Sequence, residues 1–184
     1  YGYLGQGNDT LMNAYGLEAA ASYLQTDRLC HSVRARYEYR DYSRSFADWG
    51  NYYSLDYSAR YAFDQDGRTS IRLLTRVFDN DTDYDASDNY GCEAHLIGEY
   101  SLPFGLQVYA GGGWRYSKYG DIMYPIIQKD KREDNEAIGT AGLRKRLPYT
   151  MQTDLSYRYS RTFSNFDLYD YDREIVMVSF TWRF

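Results

Sequence analysis

The chain has 184 residues, 43% hydrophobic and 26% charged, with a net charge of -5 and a mean hydropathy of -0.70. No run approaches the roughly 18 apolar residues of a membrane-crossing helix, the acidic balance argues against a nucleic-acid partner, and two cysteines are too few for a disulfide framework. A β-barrel is not excluded, because each of its strands shows lipid on one side only and average hydropathy stays low. The anomaly is aromatic content, at 18% with 23 Tyr; an apolar ring with a polar tip suits a membrane–water boundary. The chain begins at Tyr1 with no signal peptide, which reads as a processed chain or a fragment.

A period of two, the mark of a strand with distinct faces, recurs along the chain. From Tyr15 to Tyr23, Tyr15, Leu17, Ala19, Ala21 and Tyr23 oppose Gly16, Glu18, Ala20 and Ser22, and a turn at Thr26-Asp27 follows. Next, Leu29, His31, Val33, Ala35, Tyr37 and Tyr39 oppose Cys30, Ser32, Arg34, Arg36 and Glu38, and Arg40 to Asn51 reads as a polar loop. Tyr53, Leu55, Tyr57, Ala59, Tyr61 and Phe63 then oppose Ser54, Asp56, Ser58, Arg60 and Ala62, closed by the turn Asp64 to Gly67. Ile71, Leu73, Thr75 and Val77 oppose Ser70, Arg72, Leu74 and Arg76, before an acidic loop from Asp79 to Asp88. Tyr90, Cys92, Ala94, Leu96, Gly98 and Tyr100 oppose Glu93, His95, Ile97 and Glu99, with a turn at Pro103-Phe104-Gly105. Leu106, Val108, Ala110, Gly112, Trp114 and Tyr116 oppose Gln107, Tyr109, Gly111, Gly113 and Arg115. The longest loop spans about Ser117 to Asn135. After it Ala137, Gly139, Ala141 and Leu143 oppose Ile138, Thr140, Gly142 and Arg144, with a turn at Pro148-Tyr149. Met151, Thr153, Leu155, Tyr157 and Tyr159 oppose Gln152, Asp154, Ser156, Arg158 and Ser160, and a loop from about Phe163 to Asp172 precedes the last strand.

Two regularities suggest an antiparallel up-and-down transmembrane barrel, all-β, as a single domain over 1–184. Short turns alternate with long loops, the asymmetry of periplasmic and extracellular connections. Aromatic residues gather at both strand ends around an aliphatic middle, as in two aromatic girdles. A Tyr-rich soluble sandwich or lipocalin-like barrel is the alternative. The charged parity is expected to line the lumen: Glu18, Arg34, Arg36, Glu38, Asp56, Arg60, Arg72, Arg76, Glu93, His95, Glu99, Arg115, Arg144, Arg146, Asp154, Arg158 and Arg183. Facing lipid at mid-depth, each Arg would cost roughly 2–4 kcal/mol.

About nine strands are visible from Ala14 onward, whereas bacterial single-chain barrels have an even number. An ascending strand should precede the first, yet only Tyr1 to about Gly5 is available before the loop at Gly7-Asn8-Asp9. The expectation is a truncated first strand or the C-terminal part of a larger barrel; a closed ten-stranded barrel with a short first strand is the alternative.

The chain ends with Val176, Val178, Phe180, Trp182 and Phe184 alternating. This resembles the terminal insertion signal of bacterial outer-membrane barrels, and the resemblance implies an outer-membrane location, recognition by the barrel-assembly machinery and contact with outer-membrane lipid and lipopolysaccharide. The stretch Ser164 to Arg173 with its following strand is similar to the final hairpin of barrels that follow tetratricopeptide-type domains, including surface-lipoprotein assembly modifiers and exopolysaccharide exporters.

The first functional expectation is a channel or export pore passing polar or anionic solutes or polymers through an Arg-rich lumen. The second is a structural or partner-binding barrel whose lumen is plugged by ion pairs, binding other envelope proteins. An outer-membrane enzyme is a lesser candidate: His95 shares a face with Glu93 and Glu99, but neighbours at i and i+2 are automatic in a strand. His31 falls on the lipid-facing parity, where an interfacial role is expected. Asp79, Asp81, Asp83 and Asp85 fail the EF-hand pattern, since Tyr84 replaces its Gly and Tyr90 stands at the twelfth position. A solvated acidic loop is expected, with weak divalent-ion bridging to lipopolysaccharide as the alternative, and no metal site or cofactor is expected. Cys30 and Cys92 fall on non-adjacent strands and opposite faces, so no disulfide is expected. Gly111 to Gly113 lie within a strand, and inward glycines are expected to make room for Arg and Tyr.

Overall fold

The computed structural model describes residues 2–6, 9–42, 49–122, 130–147 and 151–182, with side chains from 12 onward. Ten antiparallel strands form one sheet in chain order: β1 (Gly2–Gln6), β2 (Asp9–Thr26), β3 (Leu29–Tyr42), β4 (Trp49–Ala62), β5 (Thr69–Thr82), β6 (Asn89–Ser101), β7 (Leu106–Tyr119), β8 (Glu133–Arg146), β9 (Met151–Ser164) and β10 (Tyr171–Trp182). The nine long strands curl into a half-barrel. Among the described residues β1 pairs only with β2 and β10 only with β9, so the closed ten-stranded alternative is not formed.

The registers keep the two parities apart across every pair. Glu18 stands opposite Arg36, Arg34 opposite Asp56, Asp56 opposite Arg76 and Arg144 opposite Asp154. A one-residue slip would move every charge to the apolar face, so the pattern itself pins the register. On β5, Ser70, Phe78, Asn80 and Thr82 are buried while Leu73 and Val77 are exposed, which identifies the charged parity as the concave side.

The strands outrun the sequence-based expectation. Asp41 pairs with Trp49, Asn51 with Asp81 and Ser117 with Asp134, so β3, β4, β5, β7 and β8 extend into stretches expected as loops. Backbone ladders form irrespective of side-chain polarity, whereas period-two hydrophobicity persists only where the two faces meet different surroundings. The strand ends flanking residues 27–28, 63–68, 102–105 and 147–150 lie at one end of the sheet and those flanking 43–48, 83–88, 120–132 and 165–170 at the other. The expected strict alternation of short and long is therefore softened: 63–68 matches three of the opposite connections, and only 120–132 stands out.

Local chemistry shapes the turns. In 63–68, Asp64 accepts the backbone N–H groups of Arg68 at 2.6 Å and Thr69 at 2.7 Å, and Gly67 takes φ 64°. Partial desolvation pushes the Asp64 carboxyl up, but the two amides outweigh it and hold the group below its ordinary 3.8. Gln25 sits at the register shift between β2 and β3, and its amide oxygen bonds His31.

The acidic stretch divides. Asp79 and Asp81 belong to β5, whereas Asp83 accepts the Trp49 amide at 3.2 Å and Asp88 accepts the Thr82 amide and hydroxyl, each at 2.7 Å. Among the described residues no group of three or more His, Cys, Asp or Glu could hold a metal ion. Cys30 on β3 and Cys92 on β6 are free thiols. The inward glycines serve neighbours other than those expected: a Cβ on Gly113 would strike the His95 ring and the Ala94 carbonyl, and one on Gly111 would strike Ile97 and the Leu96 carbonyl. Among the described inward glycines, only Gly142, beside the Tyr109 ring, makes room for one of the expected types.

Candidate functional site: the charged concave face

Period-two alternation aims one side chain in two from each strand at the concave face, and pairing aligns them in rows. Glu18 receives Arg36 at 2.9 Å and Arg34 at 3.4 Å, and Arg36 also reaches Glu38 at 3.5 Å. Arg76 grips Asp56 through two nitrogens, at 2.5 and 3.2 Å. Toward the other end of the sheet, Arg144 donates to Asp154 at 2.9 Å and Arg158 lies 3.7 Å from Glu136. Tyr109 shares the Asp154 carboxylate, donating its hydroxyl at 2.8 Å. His95 is bonded to Glu93.

Glu99 is the most enclosed of these groups. Its carboxylate takes Arg72 at 2.8 Å, Arg60 at 3.3 Å, the Ser70 hydroxyl at 3.2 Å and the Gln107 amide at 3.5 Å. Its side chain is 3% exposed, so its charge would carry a desolvation cost without these donors. Most other pairs are open on the concave side and are worth about 0–1 kcal/mol each.

The expected surplus of arginine is therefore largely matched by carboxylates. Arg34, Arg36, Arg60, Arg72, Arg76, Arg144 and Arg158 each have an acidic partner. Arg115 differs: its guanidinium lies 4.7 Å over the Phe78 ring and its Nε is buried without a hydrogen-bond partner. Arg146 is exposed at the end of β8. Arg183 and Phe184 lie outside the described residues, as do Pro148 and Tyr149 of one expected turn.

Several members of this face were hidden in expected loops. Arg40 donates to Glu38 at 2.8 Å and stacks 3.7 Å over the Tyr52 ring. Carrying the alternation of Arg34, Arg36 and Glu38 one step further would have found it. Arg132 has no such signal. It is bonded to Asp134 and lies between the Tyr119 ring at 4.2 Å and the Tyr169 ring at 3.5 Å, groups brought together only by tertiary structure.

The convex face has opposite chemistry. Leu17, Val33, Leu55, Leu73, Val77, Leu96, Leu155 and Val176 are exposed across successive strands. A band of that extent exceeds the apolar patches that water-soluble monomers tolerate. On β10, Val176, Val178, Phe180 and Trp182 continue it. His31 also lies here, bonded to the Tyr57 hydroxyl and the Gln25 amide oxygen at 2.8 Å each.

The sequence profile of the family described as surface lipoprotein assembly modifier matches residues 1–184. No curated protein and no solved structure matches the chain.

Proposed function

The chain belongs to the surface lipoprotein assembly modifier family, and from that premise we propose that its concave face is the wall along which a surface lipoprotein is exported or presented. Members of the family are transport and assembly barrels of the bacterial outer membrane, not enzymes. The observation that carries the reading is the division of faces: an exposed apolar convex side and a charged concave side in one register. The first fits the lipid tails, and the second fits a hydrated passage.

Within this reading the convex aromatic residues form two girdles. Tyr37, Tyr39, Tyr53, Trp114, Tyr157 and Tyr159 lie at one membrane boundary, and Tyr23, Tyr61, Phe63, Tyr100 and Trp182 at the other. Lipopolysaccharide meets the first boundary, and the barrel-assembly machinery reads the last strand. Ion pairing across the concave face weakens the field that a pore for small anions needs. An extended polypeptide exploits the same surface through local contacts instead, so the client is a polymer rather than a free solute.

The test is lipoprotein display on cells. Deletion of the gene should remove the lipoprotein from the reach of externally added protease, and the full-length wild-type protein should restore it. Undiminished display in the deletion strain refutes the proposal.

A further inference from the structure

We propose that a cavity at the 120–132 end of the concave face, bounded by β7, β8, β9 and β10, is a subsite for an acidic segment of the polypeptide client. This deepens the reading above and rests on it. The cavity measures about 110 Å³ and is lined by Arg115, Arg132, Arg173, Tyr119, Tyr171 and Asp134, among others. That volume admits several waters or a carboxylate head.

Three guanidiniums meet here, and their commitments differ. Arg132 is spent on Asp134 and fixed between two tyrosine rings. Arg173 has the Tyr171 hydroxyl at 3.3 Å, and no described carboxylate within ion-pair distance. Arg115 stands in register opposite Glu93 on one side and Glu136 on the other. Yet Glu93 is bonded to His95 and Glu136 is drawn to Arg158. Arg115 thus keeps an unpartnered Nε. Glu136 also borders the cavity, so three cations face two carboxylates and the balance is positive.

A planar guanidinium lacking an anionic partner is a ready donor to a carboxylate, and charge-assisted bonds are about twice as strong as neutral ones. The tyrosines add rigid contact surface at small entropic cost. The cavity opens on the concave side, away from the apolar convex face, which favours a polypeptide over a lipid headgroup.

The experiment uses the full-length protein in phosphatidylcholine nanodiscs and a fluorescein-labelled hexaglutamate peptide, followed by anisotropy. Arg115→Ala and Arg173→Ala should each weaken binding by about tenfold, and added salt should weaken it further. Arg68→Ala, in the 63–68 turn at the opposite end of the sheet and paired with Asp66, should leave it unchanged. Arg115→Lys, which keeps charge but not the planar fork, should fall between. Unboiled gel mobility reports folding, and if Arg115→Ala does not fold, Arg173→Ala and Arg115→Lys carry the test. Equal affinity in wild type and Arg173→Ala overturns the proposal, as does hexalysine binding as tightly. Inorganic phosphate competing at the same concentration as hexaglutamate also overturns it, leaving a small-anion site only. Loss of the subsite leaves the display experiment standing, whereas display independent of the protein refutes the broader reading whatever the peptide does.

Discussion

Glu99→Ala tests whether the concave network supports the fold. The side chain is 3% exposed and receives Arg72 and Arg60 at 2.8 and 3.3 Å. A hydrogen bond to a charged group contributes about 1.5–3 kcal/mol, so the bonds from Arg60 and the Ser70 hydroxyl give about 3–6 kcal/mol, with Arg72 as an added ion pair. Arg60 and Arg72 are 38% and 31% exposed and regain water when the carboxylate is lost. Discounting by half for that screening leaves about 1.5–3 kcal/mol. Glu99→Gln keeps one neutral acceptor and should lose about half as much. Replacing Glu99, Arg60 and Arg72 together by Met should recover part of the loss, because apolar side chains refill the space and no guanidinium is left without its partner. The assay is urea unfolding in lipid vesicles, followed by tryptophan fluorescence and by mobility on unboiled gels. A Glu99→Ala loss below about 0.5 kcal/mol, or a triple variant less stable than the single one, refutes the reasoning.

Leu96→Arg, on the convex face of β6, should cost roughly 2–4 kcal/mol when the protein folds into vesicles; a cost near zero would mean that this face does not meet lipid. Because the folded Asp64 carboxyl lies below 3.8, its stabilisation is complete above that value and is lost as pH falls through the depressed one. Asp64→Asn should remove that acid-dependent component, and an unchanged urea midpoint-against-pH profile would contradict it. Gly113→Ala should displace the His95 ring from Glu93 and cost about 1–3 kcal/mol. Gly67→Ala, where nothing lies within 4 Å of the added carbon, should cost only the left-handed backbone term of about 1 kcal/mol. Thermal unfolding of the two glycine variants checks both figures.

Legibility differed between the middle of each strand and its ends. Alternation identified the central residues of β3, such as Val33 to Tyr37, because each side chain must choose between an apolar and a charged surrounding. It lost Arg40, Asn51, Asp81 and Ser117, where strands continue through polar residues on both faces. The terminal hairpin resembled that of barrels that follow tetratricopeptide-type domains, lipoprotein-assembly modifiers and exopolysaccharide exporters alike, and the family match over residues 1–184 selects the first.

By itself the amino-acid sequence determined the two faces, the up-and-down order of the strands and which of the faces is apolar. Those properties follow from a local period of two, which needs no knowledge of what lies across the sheet. Only the tertiary structure decided which charges neutralise one another. Pairing depends on register and on each partner's other commitments: Glu99 draws Arg60 and Arg72 together across β4, β5 and β6, while Arg115, flanked by Glu93 and Glu136, has no ion pair with a carboxylate among the described residues and keeps an unpartnered Nε.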